Sequence, residues 1–202
     1  MSYRAILFDL GKVLVHFDFR LGYQALEGRC PHPATEIPRR LAATGLVERF
    51  ETGLLEPRDF VARISEALDL RVDYDEFCRI WSCIFRQALV PEEMLAGLAS
   101  RYRMLLVSNT NAIHFESIRR NYGMLRHFDG LILSYEVKAM KPRAEIFERA
   151  LELAGCAPGE CFYTDDIAEY VAAAREMGID GVQFQSLEQL QAAMRERGIE
   201  WE

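Results

Sequence analysis

The 202-residue sequence has no Cys-X-X-Cys pair, no apolar run approaching a membrane span, no internal repeat and no low-complexity linker. Its five cysteines, Cys30, Cys78, Cys83, Cys156 and Cys161, are odd in number and scattered. That pattern argues against a zinc or dithiol redox centre and fits reduced thiols in a cytoplasm. Cations are in deficit, with Lys+Arg 24 against Asp+Glu 31 and a formal net charge of -7. This balance argues against a general nucleic-acid or anionic-membrane binder, while a local cationic pocket still suits a small phosphorylated ligand. The N-terminus shows no signal-peptide pattern, so a cytoplasmic protein is expected. What remains is an ordinary globular composition, 50% apolar and 27% charged, in a chain long enough to bury a sizeable core.

The first positive signal is Asp9. It ends the largely apolar run Tyr3-Arg4-Ala5-Ile6-Leu7-Phe8, so that Tyr3–Asp9 reads as a buried strand, and leads into Leu10-Gly11-Lys12-Val13. A carboxylate carried from a buried strand into a glycine turn is the layout of an α/β active site, where ligands gather beyond the carboxyl ends of the strands. From about Phe19 to Tyr102 the pattern turns helical, with no convincing strand. Helical spacing runs over Asp59–Leu70 and again over Tyr74–Phe85, and a further helix over Glu92–Tyr102 follows Pro91. Then short apolar strands alternate with helices: Arg103–Ser108, Gly130–Ser134, Cys161–Thr164 and Gly181–Phe184 are the strands. Helices are expected near Ile113–Tyr122, Ala144–Ala154, Ile167–Met177 and Leu187–Arg197. Alternation of this kind predicts a doubly wound parallel sheet with helices on both faces. The helical stretch then reads as an insertion of roughly eighty residues, the size of a small domain, standing over the carboxyl edge as a lid.

Three later segments converge on the same edge: Ser108-Asn109-Thr110-Asn111, Lys141-Pro142 and Asp165-Asp166. A carboxylate such as Asp9 can act as a nucleophile toward phosphorus. Cations must then offset its repulsion of the phosphate, which suits Mg²⁺ and its preference for carboxylate and carbonyl oxygens. Lys141 would add a fixed positive charge, and Ser108 or its neighbouring amides would hydrogen-bond a phosphoryl oxygen. Taken singly, each has a plainer explanation: a turn aspartate, an N-cap at the Ser-Asn-Thr-Asn run, or caps at Asp165-Asp166. Their joint occurrence, in order and each after an expected strand, favours the site.

In these motifs the sequence resembles the haloacid dehalogenase-like hydrolase superfamily. The motifs are Ile6-Leu7-Phe8-Asp9-Leu10-Gly11, Leu105-Leu106-Val107-Ser108-Asn109-Thr110, Met140-Lys141-Pro142 and Phe162-Tyr163-Thr164-Asp165-Asp166. The texture is similar to a helical-cap phosphatase branch containing α-D-glucose-1-phosphate phosphatase-like proteins. The resemblance implies a Rossmann-like core from residues 1–17 and 98–202, with a helical cap over 18–97. It implies a Mg²⁺-dependent phosphatase acting on a small-molecule phosphate ester, possible sugar phosphates among them, through an aspartyl-phosphate. By that resemblance Asp9 is nucleophile and metal ligand, and Gly11 offers a metal-ligating carbonyl. Ser108 and Asn109 bind phosphate, Lys141 steadies the charges, and Asp166, with Asp165 beside it, completes the metal site.

The departures are informative. The family usually carries a second aspartate two residues after the nucleophile, as general acid and base, and here that position is Gly11. Losing a general acid commonly costs ~10²–10⁴-fold in rate, so Gly11→Asp is expected to raise turnover. Lys12 stands where a small or neutral residue is usual; it could reach the phosphate or compete with the metal. Ile167 and Tyr170 replace polar residues that often follow the late aspartates. Two alternatives therefore stand beside the phosphatase: a degenerate member that binds a ligand or partner, and a metal-independent 2-haloacid dehalogenase. In the expected cap, His16 reads as a hinge or surface residue and Asp18 as a helix cap. Trp81 and Phe77 read as core packing.

Overall fold

Ala5–Phe8 forms strand β1 because every one of its side chains is apolar and can be buried on either face of a parallel sheet. In the computed structural model, which describes residues 2–202, all four are 0% exposed. Ile6 and Phe8 enter one core cluster, while Ala5 and Leu7 enter the cluster on the opposite face. The other strands are β2 (Val15–Phe17), β3 (Phe85–Ala88), β4 (Arg103–Ser108), β5 (Gly130–Leu133), β6 (Cys161–Asp165) and β7 (Asp180–Gln183). Five of them make one parallel sheet in the order β5-β4-β1-β6-β7. The order reverses on either side of β1, and that switch point is where such sheets open a crevice at their carboxyl edge.

Eleven α-helices lie among the described residues: α1 (Phe19–Glu27), α2 (Ile37–Thr44), α3 (Leu46–Glu51), α4 (Pro57–Leu68), α5 (Tyr74–Ser82), α6 (Glu92–Ala99), α7 (Ala112–Asn121), α8 (Ser134–Val137), α9 (Ala144–Ala154), α10 (Ala168–Glu176) and α11 (Leu187–Glu196). No helix among the described residues is long and apolar enough to cross a membrane. Helices α1–α5 form the insertion, packed around their own apolar cluster of Leu26, Leu41, Phe50, Phe60, Phe77 and Trp81. The Phe50 and Phe60 rings stack at 4.1 Å, and Trp81 stacks on Phe77 at 5.4 Å. Those aromatics are core packing, as their helical spacing implies. Asp18 caps α1, its carboxylate accepting from Arg20 N at 3.0 Å, and His16 is exposed.

One element corrects the sequence reading. Phe85–Ala88 is a strand, not the end of a helix, and it pairs antiparallel with Val15–Phe17 at the base of the insertion. Helix α5 stops at Ser82. Three of the four strand residues are exposed, so no alternation of apolar and polar residues marks the strand. Its stability comes from a partner seventy residues away in sequence, which a local pattern does not reveal. The two-stranded ribbon ties both ends of the insertion together.

Candidate active site

Register builds the site. Phe8 pairs with Thr164 in β6 and with Leu106 in β4, and Asp9 continues the ladder, its amide donating to Thr164 O at 2.9 Å. The next residue along β6 is Asp165, so the two carboxylates leave neighbouring strand ends at the same level. Lys141, from the loop between α8 and α9, reaches between them. Its Nζ lies 2.6 Å from Asp9 Oδ1 and 2.6 Å from Asp165 Oδ2, and donates to Val107 O at 2.9 Å. With three acceptors the ammonium's three protons are all placed. Lys141 is 3% exposed. Burial alone would depress its pKa, but Asp9 and Asp165 more than offset that and hold it above the ordinary value.

The carboxylates are not equivalent. Asp165 has both oxygens engaged: Oδ1 accepts from Ile167 N at 2.8 Å, and Oδ2 accepts from Lys141 and from the Tyr163 hydroxyl. Asp166 has no side-chain hydrogen bond among the described residues, and its carboxyl is raised by burial and by Asp165 while Lys12 and Lys141 oppose. Burial pushes Asp9 up to about 7; Lys141 pulls it down and Asp165 adds to the rise. Oxygens of Asp9, Asp165 and Asp166 all lie within 4.8 Å of one another. Three carboxylates facing one buried ammonium leave two negative charges to compensate, which fits a divalent cation and its oxygen donors. The donor set available is the second oxygen of Asp9, the Asp166 carboxylate and the Gly11 carbonyl, which accepts no backbone hydrogen bond among the described residues. Asp165 holds the lysine through Oδ2, while its Oδ1 accepts one hydrogen bond and keeps a lone pair for a metal.

The remaining expected residues divide. Ser108 ends β4 and is 2% exposed, facing the same crevice edge. Asn109 also lies there, but its side chain is committed to the Lys141 backbone: Nδ2 donates to Lys141 O at 3.0 Å and Oδ1 accepts from Lys141 N at 2.8 Å. It fixes the lysine loop, leaving only its main chain for a phosphate. Asn111 caps α7, accepting from His114 N at 3.0 Å. Lys12 is exposed, in the left-handed region at φ 58, with Nζ 5.4 Å from the Phe17 ring centroid.

Three contributors were given no role in the site by the sequence reading. Tyr163 bonds Asp165, and Tyr170 places its hydroxyl 3.4 Å from Asn109 Nδ2 and its ring 5.2 Å from Lys141 Nζ. Tyr163 was within reach, because a residue two before Asp165 on a strand shares its face. The third is Phe17. A Cβ added to Gly11 would lie 2.6 Å from Phe17 Cε1, so an aromatic ring fills the space beside the position of the usual second aspartate.

Comparison with known proteins agrees with this geometry. The family model for haloacid dehalogenase-like hydrolases matches residues 3–178. The chain is 25% identical over 185 residues to D-ribitol-5-phosphate phosphatase of Bacteroides thetaiotaomicron, covering 88% of this chain and 90% of that one. It is 24% identical to the sesquiterpene phosphatase astK of Aspergillus oryzae, over 90% of this chain and 89% of that protein. Its fold superposes with a TM-score of 0.84 on a haloacid dehalogenase family enzyme of B. thetaiotaomicron solved with magnesium and inorganic phosphate, at 28% identity over 96% of this chain and 100% of the other. With a parallel sheet, a helical insertion and the aspartate–lysine edge all in place, the chain belongs to the haloacid dehalogenase-like hydrolases.

Proposed function

We propose that this haloacid dehalogenase-like phosphohydrolase is a Mg²⁺-dependent phosphatase of small phosphate monoesters, with Asp9 as the nucleophile. The observation that carries the reading is the buried Lys141 bridging Asp9 and Asp165 at 2.6 Å each, beside an uncommitted Asp166. A dehalogenase has no use for a triad of carboxylates whose excess charge calls for a divalent cation. The similarity to a phosphatase of ribitol 5-phosphate and to a family enzyme holding magnesium and phosphate supports the same choice.

Asp9, Asp166 and the Gly11 carbonyl would hold the metal, which when bound neutralises the phosphate and the carboxylates around it. Asp9 then attacks phosphorus, the ester P–O bond breaks, and the alcohol oxygen departs with the electron pair. Lys141 holds the Asp9 carboxylate in one orientation and supplies charge at the phosphoryl oxygens. Ser108 and the amides that follow it hydrogen-bond the transferring group. Water next attacks the aspartyl-phosphate, releasing inorganic phosphate and regenerating Asp9. Gly11 provides no proton to the leaving oxygen, so that proton comes from water or from the substrate. We also assign the division of labour expected from the sequence: residues 1–17 and 98–202 carry chemistry, and 18–97 carry selection. Release of phosphate from a monoester panel, with Mg²⁺ and with EDTA, tests the reading, with Asp9→Asn as control.

A further inference from the structure

Resting on the phosphatase reading, we infer that the substrate's leaving group is a hydrocarbon-rich alcohol carrying one further hydroxyl, bound in a cavity inside the helical insertion with that hydroxyl on Glu51. The cavity has a volume of about 350 Å³ and is walled mainly by Leu26, Leu41, Val47, Trp81 and Ile84. That is the size range of a small-molecule site, so the chemistry of the lining rather than its size selects the leaving group.

Two short runs of contact link the cavity lining to the phosphate site. In one, the rim residue Phe19 is 45% exposed and packs on Phe17 with ring centroids 4.9 Å apart. Phe17 in turn lies against Gly11. In the other, the Glu51 carbonyl lies 2.7 Å from Ser134 Oγ, which accepts from Thr110 N at 3.0 Å, just past Ser108-Asn109.

The polar side chains of the cavity lining are Tyr23, Glu51, His114 and the Trp81 indole, whose Nε1 is buried without a hydrogen-bond partner among the described residues. His114 is spent, with Nδ1 on Asn111 and Nε2 donating to Trp81 O at 2.9 Å. The Glu51 carboxyl has no hydrogen-bond partner among the described residues, although burial holds its proton on well above the usual carboxylate range. A protonated carboxyl both donates and accepts, which matches a neutral hydroxyl. A polyol would bury several hydroxyls against Leu, Val and Ile, each losing water without replacement. Gly22 lines the cavity and lets α1 approach Ile84 closely. Gly22 sits inside α1 with no positive φ to require it, and glycine is disfavoured in a helix interior. A Cβ there would already touch Ile84 Cγ2 at 3.2 Å, and a longer side chain would enter the cavity.

The test compares kcat/KM for 8-hydroxygeranyl phosphate, geranyl phosphate, ribitol 5-phosphate and acetyl phosphate, whose leaving group is too small to need the cavity. The inference predicts 8-hydroxygeranyl phosphate at least about tenfold above ribitol 5-phosphate. Gly22→Leu and, as a second filling variant, Val47→Phe should lower it about tenfold more than they lower acetyl phosphate. Glu51→Leu should erase its advantage over geranyl phosphate. Equal or better use of ribitol 5-phosphate, or filling variants that treat all substrates alike, overturns the inference. If even acetyl phosphate is not hydrolysed, the phosphatase reading fails by itself. Calorimetric titration with 8-hydroxygeranyl phosphate then decides the cavity: binding weakened by Gly22→Leu supports it, and no binding overturns it.

Discussion

The Phe17 ring stands where a side chain on Gly11 would begin, with Cε1 2.6 Å from the position of a Cβ. The ring is held by Phe19 at 4.9 Å and Phe85 at 6.5 Å, so it does not yield freely. The place of the missing general acid is therefore filled by a neighbouring ring, which a side chain at position 11 has to displace. Gly11→Asp alone is expected to change kcat by less than about threefold, contrary to what the sequence suggests. Gly11→Asp with Phe17→Ala is expected to raise it by ~10-fold or more, part of the contribution of a general acid. Steady-state rates of the two variants, with their folding checked by circular dichroism, decide this.

Leaving-group dependence follows from the same pair. Without a proton donor, the departing oxygen bears its charge in the transition state, so rate should fall steeply as the alcohol becomes less acidic. A series of aryl phosphates of graded phenol acidity should give a steep negative slope of log kcat/KM against phenol pKa. The double variant should flatten it. A flat slope in the parent protein would mean that another group already protonates the leaving oxygen.

Lys141→Ala should cost more than Ser108→Ala. It removes the only charge between Asp9 and Asp165 and leaves two buried carboxylates side by side. An activity loss of at least ~10²-fold is expected, against roughly tenfold for the serine hydroxyl. Breaking a buried ion pair from one side also destabilises by ~3–5 kcal/mol, readable by urea unfolding. Equal losses in the two variants would remove the lysine from its assigned role.

Glu51 gives a stability signature with a definite sign. Burial, with Glu48 adding, raises its carboxyl from 4.5 to about 7 in the folded chain. The folded state thus holds a proton that the unfolded state has lost between those values. The carboxyl costs nothing below pH 4.5, its penalty grows as pH rises from 4.5 to 7, and above 7 the penalty is complete. Glu51→Gln should match the parent near pH 4 and exceed it at pH 8 by on the order of 2 kcal/mol. An offset that does not vary with pH would show that the carboxyl is not perturbed.

Much of this was legible in the sequence because the parallel strands are apolar on both faces and end in chemistry-bearing residues. β1, β4 and β6 each deliver a site residue at or just after their last position: Asp9, Ser108 and Asp165. The 3.6-residue periodicity located α4 and α5 within a few residues, and α9 spans Ala144–Ala154 as expected. What stayed hidden depends on contacts between distant segments. The β2–β3 ribbon has no alternation to announce it. The double hydrogen bond of Asn109 to the Lys141 backbone joins residues 32 positions apart, and the Phe17 ring beside Gly11 belongs to that ribbon.

The most direct test of the account is phosphate release from a panel of small monoesters, aryl phosphates included, with the acyl phosphate acetyl phosphate beside them, measured with Mg²⁺ and with EDTA in the parent chain and in Asp9→Asn. The account predicts release that requires the metal and disappears in the variant. Release that survives EDTA, or that persists in Asp9→Asn, would contradict it.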